Sequence, residues 1–429
     1  MNQNNIWKKA LKVIPGGNGL LSKRPGRFLD KGWPIYFKKA KGINLWDLNS
    51  KKYIDFSIMG VGTAILGYAN KSIDDKVKQK IDEGINTTLN CLEEYLLAKE
   101  LLKWDPFADQ VKFAKGGGEA MSMAIRIARA NTKETTIAFS GYHGWHDWYL
   151  SANIANNKNL NNHLLKNLKP LGVPKGLRKT IVPFKFNDFN SLQEAIKKNK
   201  DVGIVVIEGA RYEYLSKSFV NKLNKLKREK KIILIVDEIT SGWRECFGGV
   251  YKKFNLKPDL VIYGKALANG YAISAVLGKK KIMQKASETF ISSTAWTERV
   301  GFVAALATID FLKNKKVFKH ITSNGKLILN KWVELAKKHN LQIKTNKFLS
   351  MPSFEFTYGK NSEKLHTYFT ELMIKRGYLA TNYMTVTYAH KNTDISKYIK
   401  NCDEVFKIIS NGIVKNKISL KNPVRKMTY

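Results

Sequence analysis

The chain has 429 residues, 44% of them hydrophobic and 25% charged, which is ordinary for a globular protein with a large core and two or three lobes. No apolar run approaches the ~20 residues of a membrane helix, and the start, MNQNNIWKK, has no apolar stretch of the signal-peptide kind. Cys91, Cys246 and Cys402 are odd in number and far apart, which argues against a disulfide framework or a thiolate metal site; a reduced, cytoplasmic protein is expected.

The net charge of +39 raises the question of a nucleic-acid partner. The lysines, however, are spread along the whole chain and often stand beside asparagine. The densest basic run, Lys222 to Lys231, keeps apolar residues at Leu223 and Leu226, as the solvated face of a helix would. No aromatic-interleaved basic patch or nucleic-acid motif occurs, so neither nucleic acid nor membrane is expected as a partner.

In chain order, residues 1–60 read as a helix-like start, the turns Pro15-Gly16-Gly17 and Arg24-Pro25-Gly26, and short strands at 34–37, 43–47 and 53–56. Apolar residues at helical spacing mark 72–103. From Val111 the pattern alternates, with strands predicted at 111–114, 136–139, 202–207, 232–237, 259–263 and 272–277 and helices between them. That alternation predicts an α/β layer on a mainly parallel sheet. A helix is predicted over 298–312. Beyond it the order becomes α+β, with strands near 349–357, 379–381 and 384–388 and helices near 362–376 and 393–410. There is no internal repeat.

Three stretches carry chemistry. The first runs from Ile232 to Gly278. One apolar strand ends in Asp237-Glu238 and another in Gly264-Lys265, and functional groups of α/β sheets gather at such carboxyl ends. A lysine held partly neutral can form a Schiff base, and an acid opposite a pyridine nitrogen keeps a pyridoxal phosphate ring electron-accepting. Taken singly, such an Asp more often caps a turn and such a Lys is more often solvated. The second stretch, Val111 to Ala130, is a strand, three glycines and a helix: either an anion cradle or a tight turn. It lacks the Gly-Lys-Ser/Thr of a P-loop and the third glycine of a dinucleotide fingerprint. The third, Gly141 to Leu150, packs four aromatics and two histidines into one loop. An aromatic there could lie flat on a planar ring; His143 and His146 could hold zinc but show no third ligand nearby; or the cluster could pack at a subunit interface.

With these motifs in view, the chain resembles the class III, fold-type I pyridoxal-phosphate aminotransferases, in the branch that includes glutamate-1-semialdehyde aminomutase. The likeness runs from Ile14-Pro15-Gly16-Gly17 through WDLNSKKYIDF, ILGYA, the glycine cradle, GYHGWHDWY, VDEITSGWR, PDLVIYGKALANGY and TAWTERVGFVAALATIDFL to LSMPSFEF and VTYAH. It implies an α/β fold with a large cofactor-binding domain over 61–312, a smaller α+β domain over 313–429 and an N-terminal segment over 1–60. It also implies roles: Lys265 as Schiff-base lysine, Asp237 as partner of the pyridine nitrogen, Ile239 and Tyr142 on the two ring faces, and Gly117 and Gly118 at the phosphate. Glu208 would lie near the cofactor. Thr294 would reach the cofactor phosphate of the other subunit of a homodimer.

Two positions depart from the family pattern. Gly118 stands where Ser or Thr is usual, and Gly209 follows Glu208 where Pro is usual. Lys23, Arg24 and Arg27 compete for the place of the aminomutase's substrate-carboxylate arginine. The resemblance implies an amino donor and a keto or aldehyde acceptor. GYHGWHDWY suggests nucleotide-sugar or surface-glycan metabolism by analogy alone. The alternatives are the intramolecular aminomutase reaction, and a nucleic-acid-binding or non-catalytic protein on this fold.

Overall fold

The computed structural model describes residues 2–164 and 166–425. The chain divides into two compact units. One joins the residues up to Lys71 with those from Lys316 onward; the other runs from Ser72 to Lys315. The family resemblance places these divisions at 60/61 and 312/313. Residues 61–71 belong with the terminal unit because Gly42 and Tyr68 exchange backbone hydrogen bonds at 2.8 Å, and Tyr68 Oη donates to the buried Asp55 at 2.6 Å.

The central unit is built on a seven-stranded sheet in the order Gln110–Ala114, Ser274–Gly278, Leu260–Tyr263, Ile233–Asp237, Val202–Glu208, Thr136–Ser140, Ile181–Pro183. Ser274–Gly278 is antiparallel to both neighbours, and the other pairings are parallel. Strands covered on both faces read as unbroken apolar runs; every residue of Val202–Glu208 and Ile233–Asp237 is buried. The register pairs Glu208 with Asp237 and Asp237 with Ile262, so the acids end neighbouring strands at the same edge. The helix Gly117–Arg129 covers this sheet with Ala120, Ala124, Ile127 and Ala128, three of them alanines that let its backbone sit close.

The helix expected over 72–103 is two helices, Lys71–Asp82 and Leu92–Trp104, parted at Gly84, whose φ of +92° ends the first. The helix expected from 298 spans Val300–Asn314.

The terminal unit holds a four-stranded sheet, Phe37–Lys41, Asn44–Asp47, Lys52–Phe56 and Tyr378–Ala380, the last pairing parallel to the third. Val317–Lys338, Ser362–Lys375 and Asn392–Val414 are its long helices. Residues 384–388, expected as a strand, form no ladder. Met384, Thr385, Val386 and Tyr388 donate in turn to Pro352, Ser57, Ser350 and Ile65, so the extended run is shared among separate segments. Of the 349–357 run, only Phe354–Phe356 is a strand.

Candidate active site at the carboxyl edge of the central sheet

Lys265 lies just past the end of Leu260–Tyr263 with its backbone in the left-handed region, φ +43°. Such a conformation in a non-glycine residue costs about 1–3 kcal/mol and persists where the surroundings impose it, often at active sites. Its Nζ donates to Thr240 Oγ1 at 2.7 Å. Burial pushes its pKa down to about 8, the Arg244 guanidinium pushes the same way, and Asp237 and Glu208 oppose them. A lysine with that value is partly neutral near physiological pH.

The two adjacent acids of the Asp237-Glu238 pair serve different partners. Asp237 Oδ2 meets His143 Nδ1 at 2.8 Å, while Oδ1 accepts the Ile239 N–H at 3.0 Å. The far side of the His143 ring, Nε2, faces the Ser140 carbonyl at 3.2 Å. Glu238 points the other way. It accepts from Ser241 Oγ and from the Tyr251 N–H, pinning the 238–251 loop, and burial lifts its pKa to about 7.

Glu208 pairs with Arg211 at 2.5 Å and accepts the Tyr142 N–H at 3.3 Å. Arg211 also donates to the His163 carbonyl at 2.9 Å. Gly141, at φ +123°, passes so close to Glu208 that a Cβ there would lie 2.5 Å from Oε2. Gly209 has a comparable cause: a Cβ at 209 would run into the Glu238 carboxylate, which accounts for the absence of proline. Tyr142 and Ile239 are partly exposed beside these groups. Thr294 is exposed at the start of the short turn Thr294–Thr297.

At the glycine cradle, Glu119 reaches back to accept the Gly116 N–H at 2.6 Å. The first turn of Gly117–Arg129 therefore presents its remaining N–H groups, which have no intrahelical acceptor. A Cβ on Gly117 would press on Ile239, 2.9 Å away, so this glycine lets loop and helix close together.

The Aminotransferase class-III family model matches residues 30–404. The chain belongs to that family. It is 32% identical to a glutamate-1-semialdehyde 2,1-aminomutase of Nitrosopumilus maritimus, covering 92% of this chain and 97% of the relative. It is 30% identical to a 3-aminobutyryl-CoA aminotransferase of Cloacimonas acidaminovorans, with 91% and 93% covered. The fold matches a solved pyridoxal-phosphate form of the FumI protein of Sphingopyxis sp. MTA144, with a TM-score of 0.86 at 24% identity, over 99% of this chain and 98% of that one. Class-III aminotransferases are pyridoxal-phosphate enzymes that work on an amino donor and a keto acceptor and are typically dimeric.

The residues present fit that cofactor on chemical grounds. An amine of lowered pKa suits its aldehyde, a carboxylate held by an imidazole and an N–H suits its pyridine nitrogen, and a glycine-lined helix start suits its phosphate. Sequence reasoning did not find Thr240, Arg211 or the role of His143 as the Asp237 partner. The sequence offers His143 only as a metal ligand or a packing residue, and among the described residues no cluster of His, Cys, Asp and Glu could hold a metal ion. Lys23, at the end of the short 3-10 turn Leu21–Lys23, lines a cavity of about 820 Å³ in the terminal unit with Trp7, Trp33, Tyr36 and Trp46.

The Lys265 pKa has a consequence for stability. Holding the ammonium form in the cofactor-free fold is unfavourable below about pH 8, and the penalty fades as pH rises toward 10.5, where the unfolded chain also loses the proton. Lys265→Met is therefore expected to stabilise the cofactor-free protein at pH 7 by about 1–3 kcal/mol, discounted for the partial exposure of the lysine, and by less at pH 10. Urea unfolding at the two pH values measures this. Equal or lower stability of the variant at pH 7 would contradict it.

Proposed function

We propose that this chain is a transaminase in which Lys265 and Asp237 are the catalytic residues. The observation that carries the reading is the partly neutral Lys265 amine, held by Thr240, at the same sheet edge as an Asp237 that is itself oriented by His143. Pyridoxal phosphate, when bound, supplies an aldehyde for the donor amine and a ring that withdraws electrons from the substrate carbon. Lys265 Nζ would hold the cofactor and, once free, would take a proton from the substrate carbon and deliver it to the carbon of the cofactor's former aldehyde. Asp237 would set its carboxylate against the ring nitrogen. Tyr142 and Ile239 would flank the ring, Gly117 and Gly118 would receive the phosphate, and Glu208 would border the site.

The acceptor class we infer is a keto or aldehyde group on a sugar, supported by the resemblance of Gly141 to Tyr149. A second reading, the intramolecular aminomutase reaction, is favoured by the Nitrosopumilus relative. A half-reaction screen separates the two. Amino acids and amino sugars are mixed singly with the yellow protein, and conversion of the cofactor band to its aminated form is followed. Conversion by a donor, with amination of a separate acceptor, is the expected result. Turnover of glutamate-1-semialdehyde alone would favour the aminomutase, and silence toward every amine would defeat both.

We also read the protein as a cytoplasmic homodimer in which Thr294 reaches the partner's cofactor phosphate, a reading supported by its exposure on a surface turn. Thr294→Ala is expected to weaken cofactor affinity on the order of ten- to a hundredfold, the value of one hydrogen bond to a charged group. Unchanged affinity in equilibrium dialysis would count against it.

A further inference from the structure

The loss of a hydroxyl at position 118 has a local counterpart. A Cβ built on Gly118 would lie 2.7 Å from His146 Cε1 and 2.8 Å from His146 Nδ1. The space that a Ser or Thr side chain would take is filled by an imidazole. The loop is brought there by a second glycine: Gly144, at φ +106°, lies so near the helix start that its Cβ would sit 3.2 Å from Gly118 Cα. Trp145 stacks on the His146 ring at 4.4 Å between centroids and holds its plane. His146 Nδ1 is buried without a hydrogen-bond partner. A ring nitrogen left unpaired would cost about 1–3 kcal/mol, which a small turn of the imidazole toward an acceptor at the helix start would recover.

We propose that His146 is a phosphate ligand of the cofactor, donating from its ring at the mouth of the Gly117–Arg129 helix in place of the missing hydroxyl of residue 118. The inference rests on the reading of Gly117 and Gly118 as the phosphate cradle. Burial lowers the imidazole pKa, and the carboxylates facing it, Glu119 from the helix and Asp147 from its own loop, pull the other way without restoring it. The ring is thus neutral at pH 7 and has one N–H to give, with the tautomer fixed by the phosphate oxygen it would meet. The small residues at 118 and 144 and the imidazole at 146 form one unit: a side chain at 118 and the ring at 146 exclude each other.

That exclusion makes the test specific. The full-length chain, stripped of cofactor, is titrated with pyridoxal phosphate and with pyridoxal, which lacks the phosphate, and adducts are trapped with borohydride and mapped by mass spectrometry. His146→Ala is expected to lose on the order of ten- to a hundredfold in affinity for pyridoxal phosphate, as for one hydrogen bond to a charged group, with pyridoxal affinity unchanged. Gly118→Ser in the wild-type background is expected to weaken pyridoxal phosphate binding through the clash. The double variant His146→Ala with Gly118→Ser is expected to recover most of the loss, a non-additivity that a merely structural histidine would not produce. Unchanged phosphate preference in His146→Ala, or equal losses for both compounds, would overturn the proposal. Equal affinity of the wild type for the two compounds would overturn the cradle reading beneath it, and failure to trap either on Lys265 would overturn the cofactor reading as a whole.

Discussion

Replacing Lys265 with alanine is expected to lower turnover by about 10²–10⁴-fold, the range for loss of a positioned proton-transferring group, while the protein remains folded. The substitution removes the amine that is partly neutral near physiological pH, together with its 2.7 Å bond to Thr240, and puts nothing of comparable basicity in its place. Its stability effect runs the other way, because burying that ammonium is unfavourable below pH 8. Loss of rate combined with gain of stability is the signature of a functional group that opposes the fold. Single-turnover conversion of a bound donor measures the rate, and a variant that keeps more than about a tenth of it would remove Lys265 from the chemistry.

The second large effect is expected at Asp237. Asp237→Ala should reduce turnover by about 10²–10³-fold, the scale of losing one preorganised charge at a reacting centre. It should also destabilise the fold by about 1–3 kcal/mol, since His143 Nδ1 is buried and would lose its acceptor. Asp237→Asn separates the two effects. The amide oxygen can accept the Ile239 N–H while the amide NH2 donates to His143 Nδ1, whose ring then carries its proton on Nε2 toward the Ser140 carbonyl, so stability should hold, but the charge is gone and the rate should fall as in the alanine variant. An Asn variant with full activity would show that the carboxylate positions His143 and does nothing electrostatic. Glu238, one residue on, provides the contrast: its oxygens are taken by Ser241 and Tyr251, so it secures the loop and not the chemistry.

The central sheet was legible because strands buried on both faces must be continuous apolar runs, and Val202–Glu208, Ile233–Asp237 and Leu260–Tyr263 are. The shorter pieces were not. Ile181–Pro183 and Ile343–Thr345 are too brief to show a period, and 384–388 has strand composition without a strand partner. At the site, Asp237 and Lys265 could be found because strand ends mark themselves. Their supports could not: His143 lies 94 residues from Asp237 and reaches it only across the sheet edge, and Thr240 becomes a partner only once the Lys265 backbone turns left-handed. The Gly118 departure read as a missing bond, because no local pattern indicates that His146 fills the space.

The measurement that bears most directly on the account is covalent. The purified protein, saturated with pyridoxal phosphate, is reduced with borohydride and digested, and the peptide holding Lys265 is weighed. A pyridoxyl-phosphate mass on Lys265, absent from Lys265→Ala, is the result expected; an unmodified Lys265 peptide at saturating cofactor, or a label on another lysine, would contradict it.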